Sequence, residues 1–195
     1  MHFQQQCIGF TGQLAAGKGE ALRILCGEFG FKSFSLSDRV REVARARGLC
    51  EVTREMLQDV GDSLRRDFGG EILAKLTAGM AFTENLHRVA IDSIRNPAEV
   101  AFLRAHPNFR LVAVVAPQEE RGRRLIARAR PSDPKTYEEF LERDARDLGV
   151  GQGELGQQVG KCIEMANFIL FNSGTLEQFE KNIHNMADLI LSNQL

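Results

Sequence analysis

Nowhere does the sequence hold the roughly 20 consecutive apolar residues that a membrane-spanning helix requires. Its first residues, Met1 to Gln6, have neither a basic segment nor an apolar one, so no secretory signal is expected and the expected location is cytoplasmic. Cysteine is sparse. Cys7, Cys26, Cys50 and Cys162 stand far apart with no C-x-x-C pair, which argues against a disulfide framework and predicts reduced, mostly buried thiols. His2, His87, His106 and His184 are equally scattered, without H-E-x-x-H or similar spacing, so no dedicated zinc site is expected. A charge excess is also missing. The 25 basic residues face 26 acidic ones, whereas a general nucleic-acid coat needs a strong positive surplus. No internal repeat, low-complexity tract or linker divides the 195 residues, a length that fits one domain with a sizeable core.

What is present is an alternation of short apolar runs with longer amphipathic stretches. Cys7–Phe10, Phe31–Leu36, Val89–Asp92, Leu111–Ala116 and Phe168–Phe171 read as strands. The unbroken run at 111–116 suits a sheet covered on both faces. Helices are expected over Lys18–Phe29, Asp38–Arg47, Ile72–Phe82, Lys135–Leu148 and Thr175–Leu191, with an arginine-rich helix running to Arg130. A break at Pro131-Ser132-Asp133-Pro134 follows that helix, and Gly149 to Gly153 reads as a glycine-rich connector. Thr53 offers an N-cap to a helix whose Met56, Leu57, Val60, Leu64 and Phe68 share one face, and Pro97 can open a short helix. Strands alternating with helices imply a mostly parallel sheet with helices on both sides.

Between the first strand and first helix, Gly12-Gln13-Leu14-Ala15-Ala16-Gly17-Lys18 matches G-x-x-x-x-G-K. Small residues let successive backbone N–H groups curl around a phosphate, and the following helix adds its positive end. Lys18 would reach the β- and γ-phosphates as a point charge. The hydroxyl residue that usually follows this lysine and binds Mg²⁺ is Gly19 here, which shifts weight onto phosphate oxygens, waters and a carboxylate such as Asp92. A dinucleotide site fits poorly, because G-x-G-x-x-G is absent.

These motifs resemble the nucleoside monophosphate kinase branch of the P-loop kinases, including adenylate kinases, dephospho-CoA kinases and a group of adenylate-kinase-related proteins described mainly from archaea. The ending Gly17-Lys18-Gly19 is like that of adenylate kinases. Ser35-Leu36-Ser37-Asp38-Arg39-Val40-Arg41 resembles their S-T-G-D-x-x-R, and Asp92-Ser93-Ile94-Arg95 resembles their D-G-x-P-R with Ser93 and Ile94 departing from it. Asn172-Ser173-Gly174-Thr175-Leu176 resembles the N-x-G-[ST]-L segment of dephospho-CoA kinases.

The resemblance implies an α/β, three-layer P-loop NTPase fold with a parallel five-stranded sheet, a helical acceptor-binding insert and a small lid. Its core would comprise residues 1–36, 86–120 and 160–195, with the insert at about 37–85 and the lid at about 121–150. ATP would be held by Gly12, Gln13, Leu14, Ala15, Ala16, Gly17, Lys18, Gly19 and Glu20, with Arg124, Asn172, Gly174 and Thr175 towards the nucleoside. Asp38, Arg41 and Arg95 would bind the acceptor, and Asp92 would hold Mg²⁺ through water. Lys18, Asp92, Arg128 and Arg143 would serve the transfer itself.

The chemistry of these side chains agrees. Arginine grips phosphate bidentately, and Arg41 and Arg95 each follow a predicted strand, where parallel α/β sheets bind ligands. Arg121, Arg123, Arg124, Arg128 and Arg130 crowd one helix and its exit, and Arg143 and Arg146 lie on the next. In the resembling kinases such a helix–loop–helix closes over the transferring group and excludes water. A solvated charged face would account for most of these arginines as well. A nucleic-acid patch lacks interleaved aromatics.

The acceptor's chemistry narrows the activity. A monophosphate offers an oxygen that is already anionic, whereas dephospho-CoA offers a hydroxyl whose proton a carboxylate helps to remove. Dephospho-CoA kinases carry D-x-D-x-x-x-R at the second segment, and here Ser35 and Ser37 stand at those aspartates with Asp38 one position on. The expected activity is therefore ATP-dependent transfer of the γ-phosphate to a nucleoside monophosphate, with a dephospho-CoA kinase as runner-up. The partners would be ATP and a small nucleotide-like acceptor, without nucleic acid or membrane. A nucleotide-binding ATPase or regulator without kinase activity is the alternative from another class.

Overall fold

A computed structural model of the chain describes residues 5–49, 52–82, 86–130 and 133–192. The elements in chain order are β1 (Gln6–Gly12), α1 (Lys18–Glu28), β2 (Lys32–Ser35), α2 (Leu36–Ala46), α3 (Arg54–Phe68), α4 (Ile72–Ala81) and β3 (Arg88–Asp92). They continue with α5 (Pro97–Leu103), β4 (Phe109–Val115), α6 (Gln118–Arg128), α7 (Tyr137–Leu148), α8 (Val159–Glu164), β5 (Phe168–Phe171) and α9 (Leu176–Leu191).

The five strands form one sheet in the order β2-β3-β1-β4-β5, and every pairing is parallel. Alternation along each strand sends neighbouring side chains to opposite faces. Cys7, Val89, Ile91 and Leu111 pack with α2 to α5 and α8. Ile8, Phe10, Ala90, Val112 and Val114 pack with α1 and α9 on the other side. Both faces are thus covered, which is why β3 and β4 read as unbroken apolar runs. The chain turns from one side of β1 to the other between β3 and β4, so the C-terminal end of β1 lies at the sheet's switch point, where such folds bind ligands.

Local chemistry sets the helix starts. Thr53, Thr136 and Thr175 each accept a hydrogen bond from the third residue of their helix, and Asn96 with Glu99 forms a capping box ahead of Pro97. Two expectations need correction. Phe68 does not join the buried face of α3; it is 63% exposed, and Gln58 and Arg65 are buried on that helix with Val60 and Leu64. The buried face turns towards polar partners on α5 and α7, which an apolar pattern does not register. The six-residue α8 was also not foreseen in the stretch after the glycine-rich connector.

Cys7, Cys26 and Cys162 are free thiols, and burial pushes both Cys7 and Cys162 up to about 12. Cys50, His2, and Pro131 and Ser132 of the predicted break lie outside the described residues. Among the described residues no helix is long and apolar enough to cross a membrane.

Candidate functional site

Residues 12–17 leave β1 as a loop and enter α1 at Lys18. Two glycines are required there. Gly12 has φ +135°, and a Cβ on it would lie 2.2 Å from the Val114 carbonyl oxygen. Gly17 has φ +114°, and a Cβ would lie 2.5 Å from Asn172 Nδ2. Asn172 Nδ2 also donates to the Ala16 carbonyl at 2.9 Å, so the predicted nucleoside-side residue braces the loop itself. Gln13 braces it against the end of β4, its Oε1 accepting from Ala116 N at 3.2 Å. Lys18 Nζ donates to the Gly12 and Gln13 carbonyls at 2.7 and 2.9 Å.

The loop forms one wall of a cleft of about 1150 Å³, its open mouth included. Leu14 to Glu20 line it together with Arg41, Asp92, Arg95, Arg124 and Arg128 from the predicted set. Ser93, Arg130, Asp133 and Asp147 line it as well, and were not assigned to the site from sequence. Gly174 and Thr175 are not on its wall; Thr175 caps α9 in a capping box with Gln178. Arg143, half-buried on α7, and Asp38, exposed on α2, are not on it either. Asp38 instead accepts from Arg41 Nη1 at 3.0 Å.

A second pocket, of about 500 Å³ with its mouth, opens beside the cleft. Its apolar wall is Leu36, Val40, Leu57 and Leu73, and its polar groups include Ser37, Gln58, Arg65 and Gln157. Arg41, Ser93 and Arg95 line both cavities. The segment after β3 is fixed from beneath. Thr11 Oγ1 donates to the Ile94 carbonyl at 2.9 Å, and Glu99 Oε2 accepts from the backbone N–H groups of Arg95 and Asn96 at 2.8 and 3.0 Å. Glu99 Oε1 is held in turn by Arg65 from Nε and Nη2 at 3.0 and 2.9 Å, an almost wholly buried pair.

Asp92 has two different oxygens. Oδ2 accepts from Ser93 Oγ at 3.2 Å, whereas Oδ1 is buried and without a hydrogen-bond partner. Ser93 has φ +65°, an uncommon value for a side chain, and its hydroxyl also accepts from Ser35 Oγ at 3.2 Å. Among the described residues no cluster of three potential metal ligands occurs. Asp92 lines the cleft and carries this unpaired oxygen, and nothing lies within 4 Å of where a Cβ on Gly19 would be, which fits an ion such as Mg²⁺ that keeps most of its waters.

The arginines divide by role. Arg121, 1% exposed, pairs with both oxygens of Asp144 and donates to the Ala116 and Leu14 carbonyls at 3.0 and 3.2 Å. It is a buried strut, not part of a solvated face. Arg128 grips Asp133 from Nε and Nη2 at 2.8 and 2.6 Å, and these bonds hold the Asp133 carboxyl below the usual carboxylate range. Arg124 Nη2 donates to the Asn172 carbonyl at 3.4 Å, and its Nη1 is buried with no partner.

Comparison with known proteins places this geometry in a lineage. Residues 11–141 match the family described as an AAA domain. A UPF0200 protein of Thermococcus kodakarensis is 37% identical over 190 residues, covering 93% of this chain and 96% of its own length. One from Pyrococcus horikoshii is 34% identical over 193 residues, covering 95% and 98%. The chain belongs to the UPF0200 family. UPF0200 names carry no activity, and solved structures supply the fold instead. The shikimate kinase of Acinetobacter baumannii in complex with shikimate aligns at TM-score 0.58 and 16% identity over 99% of this UPF0200 chain and 97% of its own. Dephospho-CoA kinase from Campylobacter jejuni aligns at 0.56 and 16%, covering 97% of each chain. At such identities the likeness shows fold alone: this UPF0200 protein has the P-loop kinase fold expected from its sequence.

Sequence reasoning missed the lining residues Gln58, Arg65, Asp147 and Gln157. Each is polar, buried and partnered across 34 to 99 residues of chain, so no local pattern marks it.

Proposed function

We propose that the chain is an ATP-dependent phosphotransferase that moves the γ-phosphate to a small nucleotide-like acceptor, a nucleoside monophosphate. One observation carries the reading: Arg41, Ser93 and Arg95 line both the cleft over the phosphate loop and the pocket beside it. Two anionic groups brought to that shared wall would meet across two forked cations.

The protein has little covalent chemistry to perform in such a transfer, which depends on positioning and charge stabilisation. The N–H groups of the Gly12–Lys18 loop and the Lys18 ammonium would hold the β- and γ-phosphates. Glu20 stands at the start of α1, and Asn172, Gly174 and Thr175 would lie towards the nucleoside. Arg41 and Arg95 would grip the acceptor phosphate, with Asp38 orienting Arg41. Arg124 and Arg128 would approach the migrating group from α6, with Arg143 joining from α7 as the lid closes and excludes water. An acceptor phosphate oxygen then forms the new bond to γ-phosphorus while the bond to the bridging oxygen of ADP breaks. Mg²⁺, held through water by Asp92, would supply charge neutralisation on the β- and γ-oxygens.

Among the described residues no carboxylate lines the second pocket where a hydroxyl acceptor would need one, which supports a monophosphate. The Ser35–Ser93–Asp92 hydroxyl chain favours a second reading, a hydroxyl acceptor such as dephospho-CoA whose proton leaves through Ser93 to Asp92. The test is ADP formation from ATP with and without each acceptor. Dependence on a monophosphate supports the proposal, dependence on dephospho-CoA alone selects the second reading, and indifference to every acceptor refutes both.

A further inference from the structure

A residue on the wall of the second pocket carries a buried polar atom without a partner, and its neighbours dictate what must meet it. Gln58 of α3 is 3% exposed and lies on the pocket wall. Its Nε2 donates to Asp147 Oδ1 at 2.7 Å and to Gln157 Oε1 at 3.3 Å. Both partners are acceptors, so the amide cannot be turned round: an oxygen in that place would face a carboxylate and a carbonyl at hydrogen-bond distance. Oε1 is therefore the atom left over, buried and unpaired. An unmet carbonyl in a dry site is costly, and a ligand N–H would satisfy it.

Gly61, one turn further along α3, lines the same pocket. A Cβ there would meet only Arg65 Nη1 at 3.6 Å and Val40 Cγ2 at 3.7 Å, so the glycine leaves room beside Gln58. Glycine inside a helix costs stability relative to alanine, and open space over the pocket floor is what it provides here.

We propose that Gln58 reads the acceptor, its carbonyl accepting a hydrogen bond from the exocyclic amino group of a nucleobase whose phosphate lies against Arg41 and Arg95. This rests on the monophosphate acceptor proposed above. The apolar side chains of Leu36, Val40, Leu57 and Leu73 suit the faces of a flat ring. The surroundings of Gln58 select an amino group over an imide. An imide N–H, as in uracil, is flanked by two carbonyl oxygens, and Gln58 Nε2 has no hydrogen left to meet either, because both are committed to Asp147 and Gln157. An amino group brings donor hydrogens to that side instead.

The test uses the full chain and two measurements, equilibrium binding and γ-phosphate transfer. The probes are adenosine, cytidine and uridine monophosphates, plus N6,N6-dimethyladenosine monophosphate and the monophosphates of purine and 2-pyrimidinone ribosides, which have no amino hydrogens. Wild-type protein should bind an amino-bearing acceptor about 10- to 100-fold more tightly than its amino-free analogue, the range set by one unmet buried hydrogen bond. In Gln58→Met that preference should fall to about threefold or less, with ATP binding retained as the check on folding. Gly61→Leu should abolish binding of all six. If Gln58→Met does not fold, the wild-type preference decides alone. Equal wild-type binding of parent and analogue, a preference surviving in Gln58→Met, or no binding of any monophosphate overturns the inference. Selective binding without transfer leaves Gln58 in its role and removes the kinase reading, whereas transfer without selectivity does the reverse.

Discussion

Arg121 holds the carboxylate of Asp144 from both terminal nitrogens while reaching the Leu14 carbonyl, so a single buried side chain joins the phosphate loop to α7. Phe140 packs under the guanidinium at 5.5 Å, and Gln118 donates to Asp144 Oδ2 at 3.2 Å. The α6–α7 pair, proposed above as the lid, is therefore tied to the phosphate loop.

Removing one member of that pair leaves a buried charge without compensation. Arg121→Met should destabilise the protein by about 3–5 kcal/mol, measured by urea unfolding. A change within about 0.5 kcal/mol, the range of an ordinary surface substitution, would show that the strut is not structural.

Lys18→Ala should sharply reduce transfer while leaving the unfolding midpoint almost unchanged, because its side chain bonds to the Gly12 and Gln13 carbonyls at the edge of an open cleft. A loss of about 100- to 1,000-fold in kcat is expected for a group aimed at developing charge. Full transfer rates in this variant would remove the phosphate-loop assignment.

Gly19→Ser restores the hydroxyl that most phosphate loops carry after the lysine. Nothing lies within 4 Å of a Cβ at that position, so the substitution should be tolerated without loss of stability. The Mg²⁺ concentration needed for half-maximal activity should fall. Gly12→Ala is the contrasting change, since its Cβ would meet the Val114 backbone, and it should unfold at markedly lower urea. Equal tolerance at both positions would contradict this description of the loop.

Arg95→Ala should raise the acceptor's KM by about 10- to 100-fold, as expected for a lost charge-assisted bond, with little change in ATP affinity. A loss confined to ATP binding would contradict its place on the shared wall.

Acid should loosen the clamp between α6 and α7. Hydrogen bonds from Arg128 hold Asp133 below its ordinary value of 3.8. A carboxyl depressed in the folded state contributes its full stability above the unfolded value and loses it as pH falls through the folded one. The difference in unfolding free energy between wild type and Asp133→Asn should therefore be constant at neutral pH and shrink only below about 3.8. A difference that grows on acidification would show the pair to be unimportant in the folded state.

Much of the fold was legible because its determinants are local. Unbroken apolar runs marked β3 and β4, Thr53 marked the cap of α3, and the glycine spacing of 12–18 marked the phosphate loop. The rest depended on distant partners. Arg121 is 23 residues from Asp144, and Gln58 is 89 from Asp147, so their burial is invisible until the helices are packed. Phe68 satisfied the periodicity of α3 yet is exposed, because Gln58 and Arg65 take the inward positions against α5 and α7. Of the residues singled out from sequence, Leu14 to Glu20, Arg41, Asp92, Arg95, Arg124 and Arg128 share the cleft wall, whereas Asp38, Arg143, Gly174 and Thr175 do not line it. The pocket beside it became visible only where α2, α3, α4, the segment after β3 and the chain before α8 converge.

The central claim is that Arg41 and Arg95 bring an acceptor phosphate to the loop around Lys18. Transfer of labelled γ-phosphate, followed over a panel of nucleoside monophosphates and dephospho-CoA with and without Mg²⁺, tests it most directly. The account predicts label on a monophosphate, dependent on Mg²⁺ and lost in Lys18→Ala. Phosphate released to water at the same rate whatever acceptor is added, with no labelled product, would contradict it.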